Sequence, residues 1–272
     1  MEKVLILGAS GLVGRALINE LRDSFDLYGT YSSSSLSLPG GKQFQLEVQE
    51  IDKLKEIISS INPDIVISCL RGEFDQQLQL HKELAMELRN SNGRLYFFST
   101  TNVFDGDYSK PHTESDIPFS ESDYGKFKID CEKMLKEILD ERVIILRIPA
   151  IWGKNSPRWN LIKESIKNNK MIDVYSNLLC NNLLDVQLAK QLRFIIESKL
   201  KGIFHLASED MMTHAQFFEQ IMSALEGEKS ILQYSFFQDT TDTRYFALKS
   251  NRDDMPGSLY STNKAIISYL LG

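Results

Sequence analysis

The chain is poor in the residues that build metal centres and cross-links. It has three cysteines (Cys69, Cys131 and Cys180) and four histidines in 272 residues. The cysteines lie far apart, so they form neither a metal-ligand spacing nor a disulfide framework. No apolar run approaches the ~20 residues that a membrane-spanning helix needs. No Lys/Arg-rich run stands out and the net charge is -6, which argues against nucleic acid as a partner. The apolar part of "MEKVLILGASG" is too short for a secretory leader and runs straight into glycines. These absences point to a cytoplasmic, metal-free protein with a small-molecule substrate, no nucleic acid and no membrane.

What is present is an ordinary globular composition, 42% hydrophobic and 25% charged. The length suffices for a large core, in one domain or in a large and a small lobe. "KVLIL" (Lys3–Leu7) reads as a buried strand and "GLVGRALINELRD" as an amphipathic helix. "FDLYGTY", "KQFQLEV", "DIVISCL", "RLYFFST" and "RVIILRI" read as further strands. Helices fall between them at "IDKLKEIISSI", ended before Pro63, at "FDQQLQLHKELAMELRN" and around Tyr124. This alternation predicts an α/β fold, a Rossmann-type doubly wound parallel sheet over residues 1–153. Beyond Pro149 the rhythm loosens. "RWNLIKESIKNN", "DVQLAKQLRFIIESK" and "THAQFFEQIMSAL" read as helices, the last with Thr213 as N-cap, and "GIFHLAS" as a strand. Residues 154–272 are expected to form mainly a smaller C-terminal α/β substrate lobe, with some later elements completing the first sheet.

Three stretches carry chemistry. "GASGLVG" sets Gly8, Gly11 and Gly14, with Ser10, Leu12 and Val13, between a strand and a helix. Glycine lets the backbone approach a pyrophosphate, and the helix N-terminus offers free N–H groups. A tight turn without ligand is the plainer reading of the same residues. Where a dinucleotide site for NAD usually has an acid, the chain reads "GTYSSSS", with no Asp or Glu from Gly29 to Ser35. Tyr31, Ser32 and Arg15 would then meet a 2′-phosphate, so NADP is preferred over NAD; a solvated Arg15 is the alternative. In "FFSTTNVFDG", a strand ends in Ser99, Thr100 and Thr101. Ligands of doubly wound sheets bind at that end of a strand, although such hydroxyls also bond their own turn. In "DYGKFK", Tyr124 and Lys128 stand four apart, on one face of a helix. Tyr245/Lys249 and Tyr260/Lys264 share the spacing. Only the first pair follows the hydroxyl strand and opens a helix. A nearby ammonium favours phenolate and is expected to lower the tyrosine pKa.

With these stretches in place, the chain resembles the extended short-chain dehydrogenase/reductase family, and within it the dTDP-4-dehydrorhamnose reductase branch. The resemblance is carried by "ILGASGLVG", "PDIVIS", "FFSTTNVFDGD", "PHTESDIPFSESDYGKFKIDCEKML", "ILRIPAIWG" and "NNLLDVQLA". It implies an NAD(P)H-dependent reductase of a 4-keto nucleotide sugar. Tyr124 would donate the proton, Thr100 would orient the substrate oxygen, and Lys128 would bond the nicotinamide ribose. The cofactor site would extend to Cys69, Leu70, Arg71, Ser99 and Pro149, with Ile151 beside it. Thr101, Asn102, Val103 and Trp152 would face the substrate. A homodimer is the expected assembly.

Some substrate-side residues depart from the branch. Thr101 and Asn102 replace its usual Asp-Tyr, Ala150 stands where a tryptophan is common, and "SCLRGE" replaces an alanine-containing asparagine motif. Two other readings follow: an NADP-binding subunit resembling the regulatory subunit of methionine adenosyltransferase, or another activity of the family such as an epimerase. Trp152, Trp159 and Arg158 are candidates to contact base or phosphate, against core packing for the tryptophans. His112, His205 and His214 are expected to be structural or exposed. Asp105 and Glu114 lie in polar loops near the site, where a solvated loop is as good a reading.

Overall fold

The structure, a computed structural model, describes residues 1–225 and 231–272. Its main sheet contains β1 (Lys3–Leu7), β2 (Asp26–Tyr31), β3 (Gln43–Gln45), β4 (Ile65–Ser68), β5 (Arg94–Thr100), β6 (Val143–Ile148) and β11 (Gly202–His205). All neighbours pair in parallel, in the order β11-β6-β5-β4-β1-β2-β3. Parallel strands need crossovers, and these place helices on both faces. The continuous apolar run of β1 follows from that. Val4 and Ile6 enter one core with α1 (Leu12–Leu21) and α6 (Asp185–Glu197). Leu5 and Leu7 enter the opposite core with α2 (Ile51–Ile61), α3 (Phe74–Arg89) and α4 (Asp123–Leu139). The order reverses between β1 and β4, so a crevice opens beyond their carboxyl ends.

The rest of the chain builds small sheets beside that crevice. β7 (Ala150–Trp152) pairs with β10 (Asn182–Leu184). β9 (Leu178–Cys180) lies between β12 (Met212–Thr213) and β14 (Arg244–Phe246). β8 (Ile172–Tyr175) pairs with β13 (Leu232–Ser235). α5 (Pro157–Lys167), α7 (His214–Ala224) and α8 (Asn263–Leu271) close a third core that includes Trp152, Trp159, Phe217 and Ile266. Thr213 caps α7 in a reciprocal capping box with Gln216. β11 and α6 belong by sequence to this half and by packing to the main sheet.

The third strand is shorter than "KQFQLEV" suggested. β3 is an edge strand with one neighbour, and its regular pairing ends at Gln45. α2 ends at Ile61, where Asn62 turns left-handed at φ 47° ahead of Pro63. Among the described residues, no helix is long and apolar enough to cross a membrane, and no group of three or more His, Cys, Asp or Glu could hold a metal.

Candidate active site

A cleft of ≈ 1080 Å³ runs from the glycine turn, past the ends of β4 and β5, to the small sheets. At its first end Gly8 adopts φ +75°, and a Cβ there would stand 2.9 Å from the Cys69 carbonyl oxygen. A side chain is therefore excluded where the turn crosses β4. Gly8 N donates to Thr30 Oγ1 at 3.0 Å, and Ala9 N to the Thr30 carbonyl at 2.8 Å, tying the turn to β2. α1 starts from Gly11 without a side-chain cap, so its first N–H groups remain available to an anion. Ser10, Gly11, Leu12, Val13 and Gly14 line this end, with Tyr31 and Ser32 beyond them. The Arg15 guanidinium bonds the Ser10 carbonyl and also lines the cleft. Glu47 and Val48, after β3, complete the wall. They lie outside Gly29–Ser35, because the third strand rather than sequence distance from the glycines brings them to the cleft.

The middle of the cleft joins four elements. Cys69, Leu70 and Arg71 follow β4, and Ser99 and Thr100 end β5. Burial pushes the Cys69 thiol up to about 12. Thr100 Oγ1 donates to Asn102 Oδ1 at 3.0 Å and accepts from Asn102 N at 3.2 Å. Thr101 Oγ1 donates to the Ile148 carbonyl at 3.3 Å. Tyr124 and Lys128 share one face of α4 and enter from the side. Neither other Tyr/Lys pair lies on one helix: Tyr245 is in β14, and Tyr260 precedes α8.

α4 is held against β5 by its own start. Ser122 Oγ caps Gly125 N at 3.1 Å. A Cβ at Gly125 would collide with the Asn102 carbonyl and the Ser120 hydroxyl, so only glycine allows this approach. Asp105 accepts from Ser120 Oγ at 2.7 Å, from Glu121 N at 2.8 Å and from both donors of Ser122. It is buried, not solvated. Burial raises its carboxyl pKa, and these hydrogen bonds outweigh that and hold it below the usual carboxylate range. Glu114 is likewise engaged, accepting from His205 N at 2.9 Å, Ser250 Oγ at 2.7 Å and Asn251 N at 2.9 Å.

The electrostatics differ from the expectation. Burial raises the Tyr124 pKa; the neighbouring Thr100 hydroxyl and the charge of Arg71 oppose the rise. Lys128 is not among these influences. Its Nζ donates to the Phe98 carbonyl at 2.9 Å and sits 4.5 Å from the centre of the Phe97 ring. Burial brings the Lys128 pKa down to about 8.

Pro149, Ala150, Ile151 and Trp152 continue the cleft toward the second half. Trp152 borders it but is 2% exposed, and its indole N–H is taken by Asn182 Oδ1 at 2.7 Å. Arg158 stacks its guanidinium 5.4 Å from the Trp152 ring centre and lines the cleft. Two candidates lie elsewhere. Val103 is fully buried with Phe104, Ile129, Ala207 and Leu248, away from the cleft. Trp159 is buried in the third core, on the inner face of α5. His112 and His205 are buried, whereas His214 lines the cleft and accepts from Tyr175 N at 3.3 Å. Tyr108, Tyr175, Phe237 and Phe246 form the aromatic far wall. Sequence reasoning missed them: they come from loops and short strands with no shared period.

The profile of the RmlD substrate binding domain matches residues 73–246. A probable low-salt glycan biosynthesis reductase of Haloferax volcanii, Agl14, is 20% identical over 86% of this chain and 84% of its own. The methionine adenosyltransferase 2 subunit beta of Rattus norvegicus is 27% identical over 78% of this chain and 69% of its own. Among solved structures, the dTDP-4-dehydrorhamnose reductase of Bacillus anthracis in complex with NADP superposes with a TM-score of 0.82. That alignment covers 99% of this chain and 98% of the other at 20% identity, which establishes the shared fold. The profile match spans well over half of the sequence, and the chain belongs to the RmlD substrate binding domain family, among the extended short-chain dehydrogenase/reductases.

Proposed function

We propose that the protein is an NADP-dependent reductase of a 4-keto nucleotide sugar. The observation that carries this reading is the convergence of Thr100, Tyr124 and Lys128 on one cleft with the Gly8 turn. The Gly8 turn and the N-terminus of α1 fit a pyrophosphate, since no side chain caps the first N–H groups of the helix. Cys69, Leu70, Ser99, Lys128 and Pro149 would hold the nicotinamide half. NADP is preferred over NAD because no carboxylate from Gly29 to Ser35 would repel a 2′-phosphate at Tyr31 and Ser32. The bound cofactor supplies a hydride to the substrate carbonyl carbon.

The protein's own part is orientation and proton transfer. The carbonyl oxygen gains a proton from the Tyr124 hydroxyl, giving the alcohol. Thr100 supports the oxygen as its charge builds, an oxyanion-type role. Thr101, Asn102, Trp152 and Arg158 lie on the substrate side. Residues 154–272 serve mainly as the sugar-nucleotide lobe, and the protein works in the cytoplasm, as a homodimer or alone.

NADPH oxidation across a panel of 4-keto nucleotide sugars, beginning with dTDP-4-dehydrorhamnose, tests the reading. Turnover that vanishes in Tyr124→Phe supports it. The similarity to methionine adenosyltransferase 2 subunit beta favours a second reading, an NADP-binding regulatory subunit. Tight NADPH binding with no turnover on any sugar would favour it over the first.

A further inference from the structure

The aromatic far wall of the cleft has no part in the chemistry above, yet one of its rings is held there by a dedicated latch. Residues 236–243 join β13 to β14. Phe236, Gln238 and Asp239 are exposed, whereas Phe237 is half-buried and lines the cleft. Gln238 and Asp239, in succession, have φ of 58° and 49°. Residues other than glycine enter that left-handed region at a cost, so such a loop keeps its shape only where its surroundings impose it.

Asn177, between β8 and β9, imposes it. The side chain is buried, and its Oδ1 accepts from Phe237 N at 2.7 Å. Its Nδ2 donates to the carbonyls of Phe237 at 3.2 Å, Thr240 at 2.8 Å and Asp242 at 2.9 Å. The amide has two hydrogens for these carbonyls, so one of them is shared. Main-chain bonds close the loop at both ends: Ser176 N donates to the Ser235 carbonyl at 3.0 Å, and Arg244 N to the Asn177 carbonyl at 2.8 Å. So held, the Phe237 ring stands 4.8 Å from the Tyr108 ring and 5.4 Å from the Tyr175 ring, at 68° and 76° to them. Tyr108 is pinned in turn, its carbonyl accepting from Tyr245 N of β14 at 2.9 Å. A near-perpendicular pair uses the face of one ring and only the edge of the other, which leaves an aromatic face for a planar partner.

We propose that Asn177 is a positioning residue that sets Phe237 against Tyr108 and Tyr175, and that the wall so built takes the planar base of a nucleotide sugar. With the sugar carbonyl at Tyr124, the opposite end of such a substrate is its base, which extends along the cleft away from the chemistry. The nature of the occupant rests on the nucleotide-sugar reading, but the hold of Asn177 on Phe237 does not.

The test titrates full-length protein, kept saturated with NADPH, with dTDP, UDP and GDP by calorimetry, and with inorganic pyrophosphate as a control that has no base. At least one nucleoside diphosphate should bind, and Phe237→Ala should weaken it about 10-fold, as loss of one stacked base does. Asn177→Ala should weaken the same nucleotide, and the double variant should bind it no worse than Phe237→Ala alone, because the asparagine acts through that ring. Affinities for NADPH and pyrophosphate should not move. With a sugar nucleotide that is reduced, the loss should appear in KM and leave kcat, since the base is held alike before and during the reaction. Should Asn177→Ala fail to fold, Asn177→Asp takes its place: it keeps the acceptor for Phe237 N and loses the donor to the carbonyls. Losses that multiply in the double variant would make Asn177 merely structural and overturn its role. No binding of any nucleoside diphosphate, or binding that Phe237→Ala leaves unchanged, would overturn the proposal even in a protein that reduces a sugar nucleotide. Base-dependent binding that both variants weaken, in a protein that reduces no sugar nucleotide, would sustain the proposal and remove the reductase reading.

Discussion

The Tyr124 side chain is 38% exposed, open to the cleft on one side and walled by Phe74 and Phe127 on another. Burial raises its pKa, so at neutral pH it is a phenol with a proton to give. That suits reduction, in which the acid must start protonated. The Tyr124→Phe protein should therefore bind NADPH with nearly unchanged affinity, by fluorescence titration, and show no turnover. Turnover retained in that variant would remove Tyr124 from the chemistry. Thr100→Val should be milder, lowering kcat about 10²-fold, the usual cost of one oxyanion donor. The Tyr/Lys pair was legible because a four-residue spacing on a helix fixes a shared face. What it does electrostatically was not, because the Phe98 carbonyl that captures Lys128 comes from another element.

The start of α4 shows what one element can set. Ser122 caps the helix, Asp105 grips Ser122, and Gly125 lets the turn at Asn102 press against the helix. Ser122→Ala should cost about 1 kcal/mol in urea unfolding, as lost N-caps do. It should also lower kcat, because Tyr124 lies in the first turn that Ser122 holds. A kcat equal to that of the unaltered protein would show that the cap serves stability alone. The long elements were readable because burial on both faces of the sheet leaves continuous apolar runs, as in β1, β5 and β6. The segments Ala150–Trp152, Leu178–Cys180 and Met212–Thr213 are only two or three residues long and carry no period. The aromatic far wall, which they help to frame, was illegible for the same reason. Asp105 looked like a loop residue because its donors lie 15 to 17 positions away.

Across the whole molecule, buried histidines link stability to acidity. Burial brings the folded-state pKa of His205 and His214 to about 4, and that of His81 to about 3, from 6.5. The unfolded chain then binds protons first on acidification. This contribution is fully present above about pH 6.5 and is lost as pH falls toward 4. Urea unfolding free energies should drop between about pH 7 and about pH 5 by on the order of 2 kcal/mol for each ring, roughly 6 kcal/mol for the three together. A flat profile over that window would show that these rings accept protons in place. The path of the chain makes a second prediction. Residues 1–153 alone lack β11, which pairs with β6, and α6, which covers α1. That fragment should aggregate on expression, whereas a monodisperse fragment would mean that the first sheet is complete without them. The same path sets a timetable for synthesis. As the chain leaves the ribosome, the outer edge of β6, with Ile144, Ile145 and Leu146, has no partner until Gly202–His205 has emerged. At roughly 5–20 residues per second, that edge waits several seconds unpaired. Slower translation over residues 149–201 would lengthen the interval in which a chaperone must guard it.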